Sequence, residues 1–126
     1  MSVTLIDTSV WRHYFAGTLA ADAKIQLDGM LNADDAVACH PAVVGELVLG
    51  GLSSVAEGLI VRLPMLGEIN SAETLAFIAT HALARRGIGW VDCQLLGSAR
   101  AGGAQLWTLD KQLAAAAQSL NVLHRA

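Results

Sequence analysis

Hydrophobic and polar positions divide the chain into short apolar runs separated by longer segments of helical period. Val3 to Ile6 is uncharged and rich in β-branched residues, which predicts a buried strand. From Ser9 to Ala16 the pattern turns helical, with Val10, Tyr14 and Trp11 on the inward face. A second helix is predicted over Leu19 to Leu31, where Ile25, Leu27 and Leu31 alternate with Asp22, Lys24 and Asp28. Residues 32–35, "NADD", read as a turn, and Ala36 to Cys39 as a second short strand. Pro41 suits the first position of a helix, where its missing N–H costs nothing. That helix runs to about Leu49 and ends at Gly50-Gly51.

A fourth helix is predicted over Ser53 to Leu63, closed by Pro64, and Met65 to Ile69 as a minor strand. "NSAE" then has the form of a capping box, with Asn70 as N-cap and Glu73 three residues on. The helix it opens is predicted to continue to Arg86, whose basic pair suits the negative end of the helix dipole, and to stop at Gly87. Val91 to Ala101 forms a further helix ending at Gly102-Gly103. Gln105 to Leu109 follows as a strand, Lys111 to Ser119 as a helix, and Val122-Leu123 as a last short strand. Short strands alternating with helices predict an α/β fold, with a mainly parallel sheet and helices on both faces. In such sheets, sites form beyond the carboxyl ends of the strands.

Composition adds a partner to this picture. The 126 residues suit one domain over 1–126, with no linker, repeat or low-complexity tract. Yet 54% of them are hydrophobic and only 15% charged, against about 25% charged in an average soluble domain. So much apolar surface is expected to meet another chain. Membrane insertion is not expected: the most apolar stretch, Val43 to Leu52, carries Glu46 and three glycines. The N-terminus lacks the basic and long apolar regions of a signal peptide. Cys39 and Cys93 fit no CxxC pattern and suit buried free thiols in a reducing cytoplasm, with a single disulfide between them as the alternative. The net charge of −3 argues against an ordinary nucleic-acid-binding module unless bound cations neutralise several acids.

Most acids lie in turns or among polar neighbours; Asp7, Glu46, Asp92 and Asp110 do not. Asp7 follows Leu5-Ile6 and Asp110 follows Leu106 to Leu109, so both stand where a buried strand gives way to a helix. On neighbouring parallel strands the two carboxylates converge. Glu46 sits mid-helix, framed by Ala42, Val43, Leu49 and Gly50, and Asp92 opens a helix of largely apolar residues. Each aspartate has a plain alternative as an N-cap, worth about 1 kcal/mol, and Glu46 as a solvent-facing side chain. Capping alone leaves Glu46 without a role. Clustered carboxylates repel, and a hard divalent cation such as Mg²⁺ or Mn²⁺ is the economical counterion. Such ions suit phosphoryl chemistry.

"LIDTSVW", "VVGELVLG", "WVDCQLLGSA" and "LWTLDKQL" together resemble the PIN domain, and more narrowly the VapC toxins of bacterial VapBC toxin–antitoxin pairs. The likeness covers nearly the whole chain. It implies a three-layer α/β/α fold and a Mg²⁺- or Mn²⁺-dependent endoribonuclease. The family's acidic quartet falls on Asp7, Glu46, Asp92 and Asp110, as catalytic groups and metal ligands. Its small hydroxyl residue falls on Ser9 and the threonine before the last acid on Thr108, both in supporting roles. "VDCQLLGSA" departs from the more alanine-rich form of relatives but keeps the acid. The resemblance also implies a VapB-like antitoxin across a helical groove, a homodimer, and a tRNA or rRNA substrate. Trp11, Tyr14, Phe15, Leu47, Val55 and Leu59 are candidate partner contacts, with core packing favoured for Leu47 and Val55.

Arg12 and Lys111, near Asp7 and Asp110 in sequence, are the candidate phosphate contacts. The four histidines show no paired-ligand spacing, and no P-loop lysine accompanies the small-residue stretches. Trp90 and Trp107 flank acid motifs in positions to stack on bases, but core packing is the expectation for both. A non-catalytic PIN-like scaffold is the rival reading; it typically lacks one of the acids, and this chain keeps all four.

Overall fold

Three short parallel strands form the centre of the computed structural model, which describes residues 3–34 and 36–125. The sheet consists of β1 (Thr4–Ile6), β2 (Val37–Ala38) and β3 (Gln105–Trp107), in the order β2-β1-β3. Leu5 pairs with Ala38 on one side and with Leu106 on the other. Every residue of β1 is buried, as expected of a central strand covered on both faces.

Among the described residues seven helices surround this sheet: α1 (Thr8–Ala16), α2 (Ala21–Leu31), α3 (Pro41–Leu49), α4 (Ser54–Val61), α5 (Ser71–Thr80), α6 (Trp90–Ala101) and α7 (Lys111–Ser119). The result is a three-layer α/β/α arrangement in which α1 packs on α3, α3 on α4 and α5 on α6. α6 also lies against β1 and β3. Trp11, Leu27, Val43, Ile60, Leu95, Leu96 and Leu113 fill the core around Leu5, Ile6 and Leu106. Cys39 and Cys93 are both buried free thiols. No helix among the described residues is long and apolar enough to cross a membrane.

Local chemistry explains most boundaries. Asn70 and Glu73 form the predicted capping box: Glu73 N–H donates to Asn70 Oδ1 at 2.8 Å and Asn70 N–H to Glu73 Oε1 at 2.9 Å. Pro41 occupies the first turn of α3 behind His40, whose Nδ1 accepts from Ala42 N–H at 3.0 Å. Gly17 closes α1 at φ 75°, the left-handed conformation that glycine adopts without penalty.

Several expected boundaries move. The predicted strands at 65–69 and 122–123 shrink to single parallel bridges, Cys39 with Met65 and Leu106 with Leu123. β3 stops at Trp107, which frees Thr108 and Leu109 for the loop before α7. The helix predicted to reach Arg86 ends at Thr80. Ala82 N–H bonds Ala79 O at 3.4 Å and Leu83 N–H bonds Ile78 O at 3.1 Å, the paired contacts of a Schellman cap. Ala82 takes the left-handed position at φ 51°, and Leu83 turns back into the core. Arg85 and Arg86 therefore lie beyond the helix they were expected to end. In the 32–35 turn, Asp35 falls outside the described residues.

The apolar surface is also redistributed. Trp11 and Leu47 belong to the core, whereas Val55 is 85% exposed, the reverse of its expected placement. Val48, Leu49 and Val61 join Val55 as exposed residues of α3 and α4.

Candidate active site

The chain runs from β1 to β2 on one side of the sheet and then returns to β3 on the other, so β1 and β3 flank the topological switch point. Crevices open outside the carboxyl ends of strands at such points. Asp7 and Thr108 stand at those two ends, and Asp7 N–H donates to Trp107 O at 2.9 Å, extending the pairing of β1 with β3 by one step.

Hydroxyl groups then hold the acids. Asp7 Oδ2 accepts from Ser9 Oγ at 2.7 Å and from Thr108 Oγ1 at 2.8 Å. Thr108 Oγ1 in turn accepts from Asp110 N–H at 3.0 Å, so one hydroxyl joins the first and last acids of the quartet. Ser9 Oγ accepts from Leu109 N–H at 3.0 Å, which closes the loop after β3 onto α1. Asp7 occupies the N-cap position of α1, yet its side chain makes no capping hydrogen bond. Its carboxylate is committed to the hydroxyls instead. Asp110 does cap α7, accepting from Leu113 N–H through Oδ1 at 3.0 Å.

Glu46 and Asp92 complete the group from the helices. Thr8 Oγ1 donates to Glu46 Oε1 at 2.8 Å, tying α1 to the middle of α3. Asp92 is the third residue of α6 rather than its cap, and its Oδ2 accepts from Gly89 N–H at 3.0 Å. Asp92 is held above the ordinary carboxylate range. Burial raises it most, the Gly89 N–H partly offsets this, and the charges of Asp7, Asp110 and Glu46 raise it further. Asp7, Glu46 and Asp110 therefore lie within electrostatic reach of Asp92.

Each of the four acids has one oxygen engaged and, among the described residues, one without a protein donor. No basic side chain compensates them: the one ion pair among the described residues is Lys24 with Asp28, far along α2. No three Asp, Glu, His or Cys side chains among the described residues stand close enough to form a complete ligand set on their own. The acids are a set of uncompensated oxygen donors rather than a closed cage. This fits a hard divalent ion that binds through one or two carboxylates and keeps its waters.

Arg12 and Lys111 are both exposed. Lys111 opens α7 directly after Asp110, whereas Arg12 lines a recess of about 260 Å³ with Phe15, Leu47 and Gly50 between α1 and α3. Trp107 is buried against His124, at a ring-centroid distance of 4.8 Å, as expected for a core residue. Trp90 departs from that expectation and is 43% exposed at the start of α6. Thr8 is the residue that the pattern did not single out. Its signal was a hydroxyl directly beside Asp7, but its partner lies 38 residues away.

A three-layer α/β/α domain with an acidic crevice at the strand ends is the architecture of the PIN domain. The family model for the PIN domain matches residues 4–118, and the chain belongs to the PIN-domain family. Ribonuclease VapC32, from two strains of Mycobacterium tuberculosis, is 42% identical over 115 residues, covering 89% of this chain and 88% of the relative. Among solved structures, FitAcB from Neisseria gonorrhoeae superposes with a TM-score of 0.60 at 20% identity, covering 92% of this chain and 94% of that one. PAE2754 from Pyrobaculum aerophilum gives a TM-score of 0.58 at 15% identity, covering 94% and 86%. At those identities the two structures speak for the fold.

Proposed function

We propose that this chain is a divalent-cation-dependent endoribonuclease, the toxin of a type II toxin–antitoxin pair, with Asp7, Glu46, Asp92 and Asp110 as its metal-binding carboxylates. The observation that carries this reading is that Asp7, Glu46, Asp92 and Asp110 each have one oxygen pinned by a hydrogen bond and, among the described residues, no cationic side chain paired with them. The name of the 42%-identical relative, Ribonuclease VapC32, supports the substrate class.

Mg²⁺ or Mn²⁺ bound there supplies an activated water and charge stabilisation at a phosphodiester. The protein's own contribution is orientation. Thr108 and Ser9 fix the rotamer of Asp7, Thr8 fixes Glu46, and the first turns of α6 and α7 fix Asp92 and Asp110. The ordering is in place before substrate arrives, so little reorganisation remains for the reaction itself. Lys111 and Arg12 supply positive charge for flanking phosphates.

The exposed apolar residues of α3 and α4 support a VapB-like antitoxin and a second toxin copy as partners. A groove of about 640 Å³, lined by Leu31, Val55, Leu59 and Leu63, offers room for an apolar helix face. Incubation of purified protein with total RNA tests the activity. Discrete fragments are expected with Mg²⁺ or Mn²⁺, and none with EDTA or in Asp7→Asn. Metal-independent cleavage, or full activity in Asp7→Asn, would sink the proposal.

A further inference from the structure

The fold treats the chain's three tryptophans differently. Trp11 is fully buried, stacked on Phe15 with ring centroids 5.6 Å apart, and Trp107 is buried against His124. Trp90 is 43% exposed, and no aromatic ring among the described residues packs on it. An indole is the largest apolar side chain, and leaving half of it in water forgoes one of the strongest burial contributions available to a residue.

Its position is tied to the acidic crevice. Trp90 opens α6 two residues before Asp92, which feels the charges of Asp7, Asp110 and Glu46. The loop that delivers it is docked along α7. Arg86 Nη1 donates to Ser119 Oγ at 3.3 Å, and Gly87, at φ 75°, lies so close to Gln112 that a Cβ there would stand 3.1 Å from its Cγ. Gln112 is in the first turn of α7, beside Asp110 and Lys111. Trp90 therefore stands at the fixed N-terminal end of α6, the end that carries Asp92, rather than on a free loop. Leu109, 46% exposed between Thr108 and Asp110, adds apolar surface beside the last of the four acids.

A phosphodiester held at the four carboxylates would bring a flanking base near this end of α6. Unpaired bases expose a flat π-face, and proteins take such faces on exposed aromatic rings. We propose that Trp90 is a stacking platform for an unpaired nucleobase next to the scissile phosphate, and so restricts the protein to single-stranded sites; this rests on the ribonuclease reading above.

The other two tryptophans are buried, so quenching of intrinsic fluorescence by added solute reports Trp90. The full chain with Mg²⁺ is titrated with a nuclease-resistant, 2′-O-methyl single-stranded oligonucleotide and with an abasic sugar–phosphate chain of equal length. The base-bearing chain is expected to quench Trp90 and the abasic chain to leave it unchanged. Trp90→Ala should weaken binding of the base-bearing chain, and raise KM for RNA cleavage, by about tenfold. Trp90→Phe should recover most of that loss, and both variants should bind the abasic chain like the parent. Equal quenching by the abasic chain, or an unchanged KM in Trp90→Ala, would overturn the platform and leave the nuclease standing. Quenching by RNA in a protein that cleaves none would overturn the nuclease and leave the platform standing. Emission that shifts with protein concentration in the absence of RNA would assign Trp90 to a protein interface instead, and overturn the proposal.

Discussion

Thr8 donates its hydroxyl hydrogen to Oε1 of Glu46 across 2.8 Å, and this contact joins the first turn of α1 to the middle of α3. Asp7, one residue earlier, receives its hydrogen bonds from Ser9 and Thr108. The turn that ends β1 thus positions two acids at once, one through its own backbone and one through a neighbour's side chain.

Replacing Thr8 by Val keeps the shape and removes the donor. Outer-sphere partners of metal ligands typically contribute about 10–100-fold in metal affinity. Thr8→Val is therefore expected to weaken Mn²⁺ binding by about tenfold, and to cost about 1 kcal/mol of stability through the lost hydrogen bond. Thr8→Ser should restore the Mn²⁺ affinity. Calorimetric Mn²⁺ titration and thermal melting measure both effects. Normal Mn²⁺ affinity in Thr8→Val would show that Glu46 is held by other means.

Asp92 links the site to pH-dependent stability. Its carboxyl is held above the ordinary range, first by burial and then, against the Gly89 N–H, by Asp7, Asp110 and Glu46. The folded chain thus holds this proton more tightly than the unfolded chain does. The associated stability is full below the ordinary carboxyl pKa of about 3.9 and is lost as pH rises through the raised value. At neutral pH the charged Asp92 opposes folding. In EDTA at pH 7, Asp92→Asn should be more stable than the parent by roughly 0.5–1 kcal/mol, a gain limited by solvent screening. The gain should shrink toward pH 4, and Mg²⁺ should stabilise the parent but not the variant. Melts of the two proteins across pH decide this; a destabilised variant at pH 7 would contradict it.

Ala82 sits in the left-handed region at φ 51° to complete the cap of α5. That conformation costs an L-residue with a Cβ about 1 kcal/mol relative to glycine. Ala82→Gly is expected to raise the melting temperature by a few degrees. Since Ala82 lies outside the acidic crevice, RNA cleavage should stay at the parental level. A lower melting temperature would mean that glycine's extra freedom in the unfolded chain outweighs the relief.

The end of α5 shows where sequence patterns lose their grip. A glycine at position 82 would have announced the stop; an alanine in its place announces nothing, and the pattern ran on to Gly87. What ended the helix was the pull of Leu83 into the core, a long-range packing effect. The two tryptophans beside acid motifs teach the same lesson. "WVD" and "LWTLD" look alike as text, but Trp107 lies on a covered strand and Trp90 on the outer start of a helix.

The amino-acid sequence by itself determined the α/β alternation and most helix starts, because capping, proline placement and hydrophobic period act within a few residues. It also marked Asp7, Glu46, Asp92 and Asp110 as acids in unsuitable places for surface residues. Only the tertiary structure decided that Asp7, Glu46 and Asp110 come within electrostatic reach of Asp92 and that Thr108 bridges Asp7 to Asp110. It alone showed that Thr8 holds Glu46 and that the Asp7 carboxylate bonds Ser9 and Thr108 rather than capping α1. Those relations join residues 38 to 101 positions apart. They exist because parallel strands bring distant segments to one edge of the sheet, and no local pattern encodes that meeting.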